Sequence, residues 1–259
     1  MKTIILCGGY GTRIRDVADN VPKPMIPVGN RPILWHIMKY YSYYGFNRFI
    51  LTLGYKADWI KNYFYNYRSL NSDFTIKYSQ NSEVTFHSTT CEDNWEITLV
   101  DTGLETLKGA RIKRVEKYIE SENFHLTYGD GICDVDLHKL TNFHESHNKL
   151  ATVTAVRPPS RFGEMDIIGD VVKDFEEKPQ LDKGFINGGF FILNKGIMKY
   201  LNENIDCDFE FGPMQQIAKE NELRAFKHKG FWQCMDNIRE KNYLKSLVES
   251  GEGPWLKWK

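Results

Sequence analysis

A short apolar run that stops abruptly in glycines constrains this chain more than any other stretch: Thr3-Ile4-Ile5-Leu6-Cys7-Gly8-Gly9-Tyr10-Gly11-Thr12-Arg13. The β-branched run reads as a buried strand feeding a tight loop. Glycine lets backbone N–H groups turn inward and lets a bulky anion come close. Arg13 adds a planar fork of donors suited to phosphate oxygens. Farther on, in Pro22-Lys23-Pro24-Met25, two prolines fix the backbone on either side of one lysine. Glycine loop, arginine and clamped lysine together point to a polyphosphate site. The glycines alone would suit an ordinary strand-to-loop turn.

Two familiar phosphate-binding patterns do not fit. No Gly-Lys-Ser/Thr follows the glycines, as a Walker A loop requires. Read as a dinucleotide fingerprint from Gly9, the sequence Gly9-Tyr10-Gly11-Thr12-Arg13-Ile14 lacks the third glycine.

With 259 residues the chain can bury a sizeable core, and a single domain over 1–259 is the natural expectation. Lysine plus arginine and aspartate plus glutamate both total 34, so no broad field favours nucleic acid or an anionic membrane, and any anion site must be local. No apolar run approaches the roughly 20 residues of a membrane span. The start is too short in apolar residues for a signal peptide. The cysteines Cys7, Cys91, Cys133, Cys207 and Cys234 form no C-x-x-C pair. That argues against a zinc site or disulfide framework and for a reduced, cytoplasmic setting.

Along the chain the pattern alternates. A helix starts after Asn30-Arg31-Pro32 and ends at Gly45; Phe49 to Leu53 is a strand; Ala57 to Tyr67 is a helix. Strand, helix, strand, helix is the signature of a parallel sheet covered on both faces. Short alternating segments follow from Phe74 to Asp101, with the polar stretch 88–94 as a loop. Next come a turn at 101–106, a helix from about Lys108 to Tyr118, and a strand 124–128 ending in Gly129-Asp130-Gly131. A helix capped by Asp136 runs to about His147. Ala151 to Val156 is a strand, and 166–172 a hairpin around Gly169-Asp170. Phe185 to Leu193 is a strand interrupted by Asn187-Gly188-Gly189. Phe209 to Asn221 reads as a helix, Arg224 to His228 as extended, and Ile238 to about Glu249 as the last helix. The aromatic tail 254–259 is expected to dock on the body or on a neighbouring subunit.

Two carboxylates stand out by context. Asp130 lies between glycines at a strand's carboxyl end, where open α/β sheets bind ligands. Asp236 precedes the last helix. Carboxylates without clustered His or Cys favour a hard cation such as Mg²⁺. The plainer readings are a turn aspartate for Asp130 and a helix cap for Asp236. Glu177-Lys178-Pro179 repeats the proline-held lysine, against a solvated charge run in a hairpin. Asn187-Gly188-Gly189 can offer backbone and an amide to polar substrate hydroxyls, against a β-bulge. There is no H-E-x-x-H, no G-x-S-x-G elbow and no setting that makes a cysteine a nucleophile.

Taken in order, Gly8 to Arg13, Pro22-Lys23-Pro24-Met25, Tyr128-Gly129-Asp130-Gly131, Glu177-Lys178-Pro179 and Asn187-Gly188-Gly189-Phe190-Phe191 resemble the sugar-nucleotide pyrophosphorylase (nucleotidyltransferase) family over nearly the whole chain. The stretches 32–38, 98–103, Arg161-Phe162-Gly163, 230–233 and Pro254-Trp255 resemble the branch that joins CTP to glucose 1-phosphate. Cys7 departs from the alanine usual in the family, a small-residue exchange. The stretches 166–168 and 88–94 are less family-like.

The resemblance implies a Rossmann-like mixed α/β fold, with a mostly parallel sheet, helices on both faces and small β additions. It also implies a Mg²⁺ cofactor and a homo-oligomer, hexameric or trimer-based. The nucleotide-binding part would span about 1–130 and the sugar-binding part about 131–259. Leu6, Gly8, Gly9, Gly11 and Thr12 would cradle the nucleotide, with Arg13 at its β- and γ-phosphates and Lys23 at the α-phosphate. Thr106, Arg111, Tyr128 and Gly129 would sit near the base and triphosphate, and Asp130 and Asp236 would hold the metal. Glu177, Asn187 and Gly188 would bind the sugar and Lys178 its phosphate. The implied reaction gives CDP-glucose and pyrophosphate, for deoxysugar and surface-polysaccharide synthesis. Another sugar 1-phosphate, another NTP, or a non-catalytic sugar-nucleotide sensor are the alternatives.

Overall fold

In strand Thr3–Leu6 the side chains of Ile4 and Leu6 join one apolar cluster, and those of Ile5 and the following Cys7 join another. That division follows from the period-2 alternation of a strand. Because both faces are apolar, both must be covered, as parallel sheets require. Ile4 and Ile5 are fully buried, each stabilising the fold by about 1.5–3 kcal/mol.

The fold is a computed structural model that describes residues 1–14, 21–78, 83–88, 92, 94–158, 164–168, 171–176 and 184–258. Thr3–Leu6 pairs in parallel with Arg48–Leu53 on one side and Asn123–Tyr128 on the other, and Glu96–Asp101 extends the sheet in parallel beyond Arg48–Leu53. On the far side Phe191–Asn194 runs antiparallel between Asn123–Tyr128 and Ala151–Val156. Ile186–Asn187 and Leu223–Lys227 both pair with Ala151–Val156, completing an eight-stranded mixed sheet. Helices Ile33–Tyr43, Ala57–Tyr65, Leu137–His147 and Ile238–Glu249 supply one buried cluster. Helices Lys108–Arg114 and Gln215–Lys219 supply residues of, or lie against, the other. The expected α/β fold with helices on both faces is therefore found.

Several local readings are refined. Glu96–Asp101 is the parallel edge of the main sheet, whereas the exposed strands Phe74–Lys77 and Glu83–Phe86 form a separate hairpin. The helix expected to Tyr67 breaks at Asn66 and resumes over Tyr67–Asn71. The one expected to Tyr118 ends at Arg114 and continues as the 3-10 turn Glu116–Tyr118. The long helix expected over 209–221 is a correction: Gly212, at φ 104°, and Pro213 interrupt it, leaving a kinked turn Glu210–Met214 and a helix of only Gln215–Lys219. Asp136 does cap its helix, accepting from the Lys139 amide at 3.0 Å. Strands Glu164–Ile168 and Val171–Glu176 pair as the expected hairpin; its turn, Gly169-Asp170, lies outside the described residues.

The C-terminal aromatics dock on the chain's own body. Trp255 is fully buried against His36 and Phe231, and Trp258 meets Trp35 edge-on. Within the 88–94 stretch, Glu92 is buried and ion-paired to Lys39 at 2.9 Å.

Candidate active site

The carboxyl ends of Thr3–Leu6 and Asn123–Tyr128 open into a cavity of about 620 Å³. Leu6, Gly8, Gly9, Gly11 and Thr12 line it from the first loop, and Thr106 and Arg111 from the turn and helix after Glu96–Asp101. Tyr128, Gly129 and Asp130 line it from the strand end, and Lys23, Asn187, Gly188 and Asp236 from elsewhere. Residues spread over more than two hundred positions thus meet around one space. Arg13 lies in the 3-10 turn Thr12–Ile14, but its side chain is outside the described residues, as are Glu177 and Lys178.

A two-stranded ribbon brings the acidic pair together. Gly131–Cys133 runs antiparallel to Trp232–Cys234, with Gly131 opposite Cys234, and the Met235 amide donates to the Asp130 carbonyl at 2.9 Å. Asp130 and Asp236 therefore flank the same point. Asp236 is not a helix cap: Asn237 fills that place, accepting from the Glu240 amide at 3.0 Å. Glu240 in turn accepts from the Asp236 amide at 2.6 Å, which holds the backbone of Asp236.

Lys23 stands between the carboxylates. Its Nζ lies 2.5 Å from Asp130 Oδ2 and 2.6 Å from Asp236 Oδ1. Its backbone is fixed by the tight turn Lys23–Met25, where Pro22 accepts from the Met25 amide at 2.7 Å. Burial lowers the ammonium's pKa, but the charges of Asp130 and Asp236 and their hydrogen bonds outweigh it, so the lysine pKa is raised. The convergence of two carboxylate oxygens on one cationic atom is also a test of metal fit. The donor set is hard oxygen and already coordinates a positive group, which suits Mg²⁺.

Arg111, which also lines the cavity, is buried as well, with different partners. Its two terminal nitrogens donate to the carbonyls of Leu53, Gly8, Gly103 and Leu104 and to Thr102 Oγ1, at 2.7–3.1 Å. A Cβ on Gly8 would lie 2.1 Å from Arg111 Nη1, so a side chain there would have to displace the guanidinium. Arg111 ties the first loop to the second turn rather than standing open to a ligand. Thr106 Oγ1 is likewise engaged, accepting from Arg114 at 2.9 Å.

Asn187-Gly188-Gly189 is both bulge and cavity wall. Asn187 pairs with Ala155 and Ile192 with Thr152, so five steps on one strand face three on the other. The two extra residues are accommodated by positive φ at Gly189 (73°) and Phe190 (47°). Trp232 Nε1 donates to the Gly188 carbonyl at 2.8 Å and holds the bulge.

Sequence reasoning missed several lining residues. Tyr10, Glu105, Lys108, Trp232 and Cys234 all face the cavity, and the Tyr10 hydroxyl donates to Glu105, joining the first loop to the second turn. Trp232 lies in the stretch 230–233 that carries the resemblance, and Lys108 just after the turn 101–106. Burial pushes the Cys7 thiol far up, and burial with Asp236 and Glu240 pushes Cys234 up to about 12. Neither thiol is a ready nucleophile.

The nucleotidyl transferase family pattern matches residues 2–233. The chain belongs to the nucleotidyl transferase family. It is 45% identical to the glucose-1-phosphate cytidylyltransferase of Salmonella typhimurium over 259 residues, covering 100% of both chains. It is 40% identical, again over 100% of both, to a probable glucose-1-phosphate cytidylyltransferase of Bacillus subtilis. Among solved structures, HddC from Yersinia pseudotuberculosis superposes with a TM-score of 0.67 at 26% identity, covering 95% of this chain and 99% of the other.

Proposed function

We propose that this member of the family transfers a cytidylyl group from CTP to α-D-glucose 1-phosphate, giving CDP-glucose and pyrophosphate. The observation that carries the substrate assignment is the full-length 45% identity to a glucose-1-phosphate cytidylyltransferase. The site supports the reaction type: a glycine loop at one end of the cavity, a lysine and two carboxylates at the other, and no activated nucleophile among the described residues.

A phosphate oxygen of glucose 1-phosphate attacks the α-phosphorus of CTP in line. One P–O bond forms, the bond to the β-phosphate breaks, and pyrophosphate leaves with the electron pair. The chain's part is positioning and charge neutralisation. In this reading the Gly8–Thr12 loop and Arg13 take the triphosphate, and Lys23 turns its ammonium from the carboxylates to the α-phosphate. Asp130 and Asp236 hold Mg²⁺, which when bound neutralises charge on the phosphate oxygens. Arg111 and Thr106 shape the nucleotide end, with Tyr128 and Gly129 beside it. Glu177, Asn187 and Gly188 take the sugar, and Lys178 its phosphate. The nucleotide then belongs mainly to residues before about 130 and the sugar to those after.

A homo-oligomer working in the cytoplasm completes the proposal. The hairpin Phe74–Lys77 and Glu83–Phe86 supports the oligomer, because it exposes Phe74, Ile76 and Val84 to solvent and an isolated hairpin is marginally stable. Among the described residues no helix is long and apolar enough to cross a membrane. Sedimentation of the purified protein tests the assembly; a monomer at micromolar concentration would overturn it.

Pyrophosphate release from a panel of four NTPs with glucose 1-phosphate, with and without EDTA, tests the activity. Turnover with CTP that EDTA abolishes is expected. Equal turnover with GTP or dTTP would overturn the nucleotide assignment, and no turnover with any of them would favour a sugar-nucleotide sensor.

A further inference from the structure

Behind the cavity wall stands a carboxylate that no recognised motif contains. Glu210 opens the kinked turn after Phe209, and Asp208 Oδ1 fixes it by accepting from the amides of Glu210 and Phe211, both at 2.8 Å. Glu210 Oε1 accepts from the Tyr128 hydroxyl at 2.6 Å, and Oε2 lies 2.6 Å from Lys108 Nζ. The Tyr128 oxygen accepts in turn from Asn187 Nδ2 at 2.8 Å. The Asn187 Oδ1 accepts from the Gly189 amide at 2.9 Å. Tyr128, Lys108 and Asn187 line the cavity, and Glu210 touches it only through them.

The order of donors in this chain is forced at one end. An ionised carboxylate only accepts, so the phenol must point its proton at Glu210. Its oxygen is then left as an acceptor for Asn187, which must turn its NH₂ toward the tyrosine. One Nδ2 hydrogen and one Oδ1 lone pair remain for the cavity, a donor–acceptor pair that matches a hydroxyl. Lys108 supplies the countercharge from the start of helix Lys108–Arg114.

We infer that Glu210 is a positioning residue that fixes, through Tyr128, the hydrogen-bonding face Asn187 presents to a hydroxyl of the sugar phosphate. The inference rests on the sugar-binding role proposed for Asn187. Glu210→Gln removes the obligation, because an amide both donates and accepts, so Tyr128 and Asn187 lose their fixed direction.

The test is steady-state kinetics of the full chain with CTP and glucose 1-phosphate, each varied at saturating levels of the other. Glu210→Gln and Tyr128→Phe are each expected to raise the KM for glucose 1-phosphate by up to roughly tenfold, the upper range of one net neutral hydrogen bond. For Glu210→Gln, at a residue that does not line the cavity, the KM for CTP should stay within about twofold, and the melting temperature should barely move. The double variant Glu210→Gln with Asn187→Ala should be no worse than Asn187→Ala alone, since the two act in series. Equal changes in both KM values, or additive losses in the double variant, would overturn the positioning role. If Asn187→Ala itself leaves the sugar-phosphate KM unchanged, the sugar reading of Asn187 fails. If Asn187→Ala raises that KM and Glu210→Gln does not, only the Glu210 inference fails.

Discussion

Two buried cations mark the two ends of the cavity, and their partners set them apart. Arg111 is 4% exposed and Lys23 9%, so burial does not distinguish them. Arg111 donates to neutral oxygens, four of them backbone carbonyls. Its pKa is lowered, by burial and then by Arg114, because carbonyl dipoles compensate a desolvated charge less than an anion does. Lys23 faces two carboxylates, and its pKa is raised despite burial. The difference teaches what each end can do. A carbonyl cage holds loops in place and has nothing to exchange. An ammonium between carboxylates can be exchanged, since the carboxylates accept another cation and the ammonium can move to a phosphate.

The carboxylates give the largest expected effect. Asp130→Asn and Asp236→Asn should each lower turnover by at least about 10²–10³, the scale of losing one electrostatic contact at a reacting centre. The double variant should cost little more than either single one, as for residues acting as a unit. Melting temperatures should change little, because Lys23 keeps one carboxylate partner in either variant. Losses that multiply in pyrophosphate-release assays would mean that the two carboxylates act separately.

Lys23→Met tests exchange directly. The kcat should fall roughly 10²–10³ with a smaller change in the KM for CTP, if the ammonium acts mainly on charge that grows in the transition state. The same variant should bind Mn²⁺ more tightly than the parent when no nucleotide is present, measured by electron paramagnetic resonance. Two half-buried carboxylates that lose their ammonium favour any replacement cation. Unchanged or weaker Mn²⁺ binding would show that lysine and metal do not compete for Asp130 and Asp236.

Much of this was legible beforehand, and the rest was hidden for one physical reason. Strands such as Thr3–Leu6 and Ala151–Val156 announce themselves by β-branched runs, and the motif residues of the site follow from their residue types. Local pattern does not report which distant group completes a hydrogen bond. The paired role of Lys23, the carbonyl cage of Arg111 and the place of Glu210 behind Tyr128 all depend on contacts between elements far apart in sequence. Gly212-Pro213 is the exception, a local signal against one continuous helix over 209–221, because proline removes a helix hydrogen bond.

At the arginine end the main loss should be in stability. Arg111→Ala leaves several loop carbonyls without their donor, at about 1–3 kcal/mol for each that water cannot reach. A total near 3 kcal/mol would lower the melting temperature by roughly 6–12 °C in a chain of this size. Gly8→Ala should mimic it, since the added methyl collides with the guanidinium. Calorimetry and kinetics on both variants check the contrast. A normal melting temperature with a kcat as low as that of Lys23→Met would put Arg111 in the chemistry and erase the distinction between the two ends.

Gly9→Ala should have the smallest effect on the fold and gives the finest test of the loop. Nothing lies within 4 Å of a Cβ built on Gly9, and its φ is outside the left-handed region, so alanine fits the folded chain. Gly8, one residue earlier, has no such room. The melting temperature of Gly9→Ala should therefore stay within the equivalent of about 0.5 kcal/mol of the parent. Gly9 is exposed and lines the cavity. If the triphosphate fills that space, the methyl must push against it, and the KM for CTP should rise while the KM for glucose 1-phosphate stays put. Glycine at position 9 is then kept for the close approach of a ligand, and glycine at position 8 for the close approach of Arg111. An alanine variant with both KM values unchanged would move the triphosphate away from Gly9.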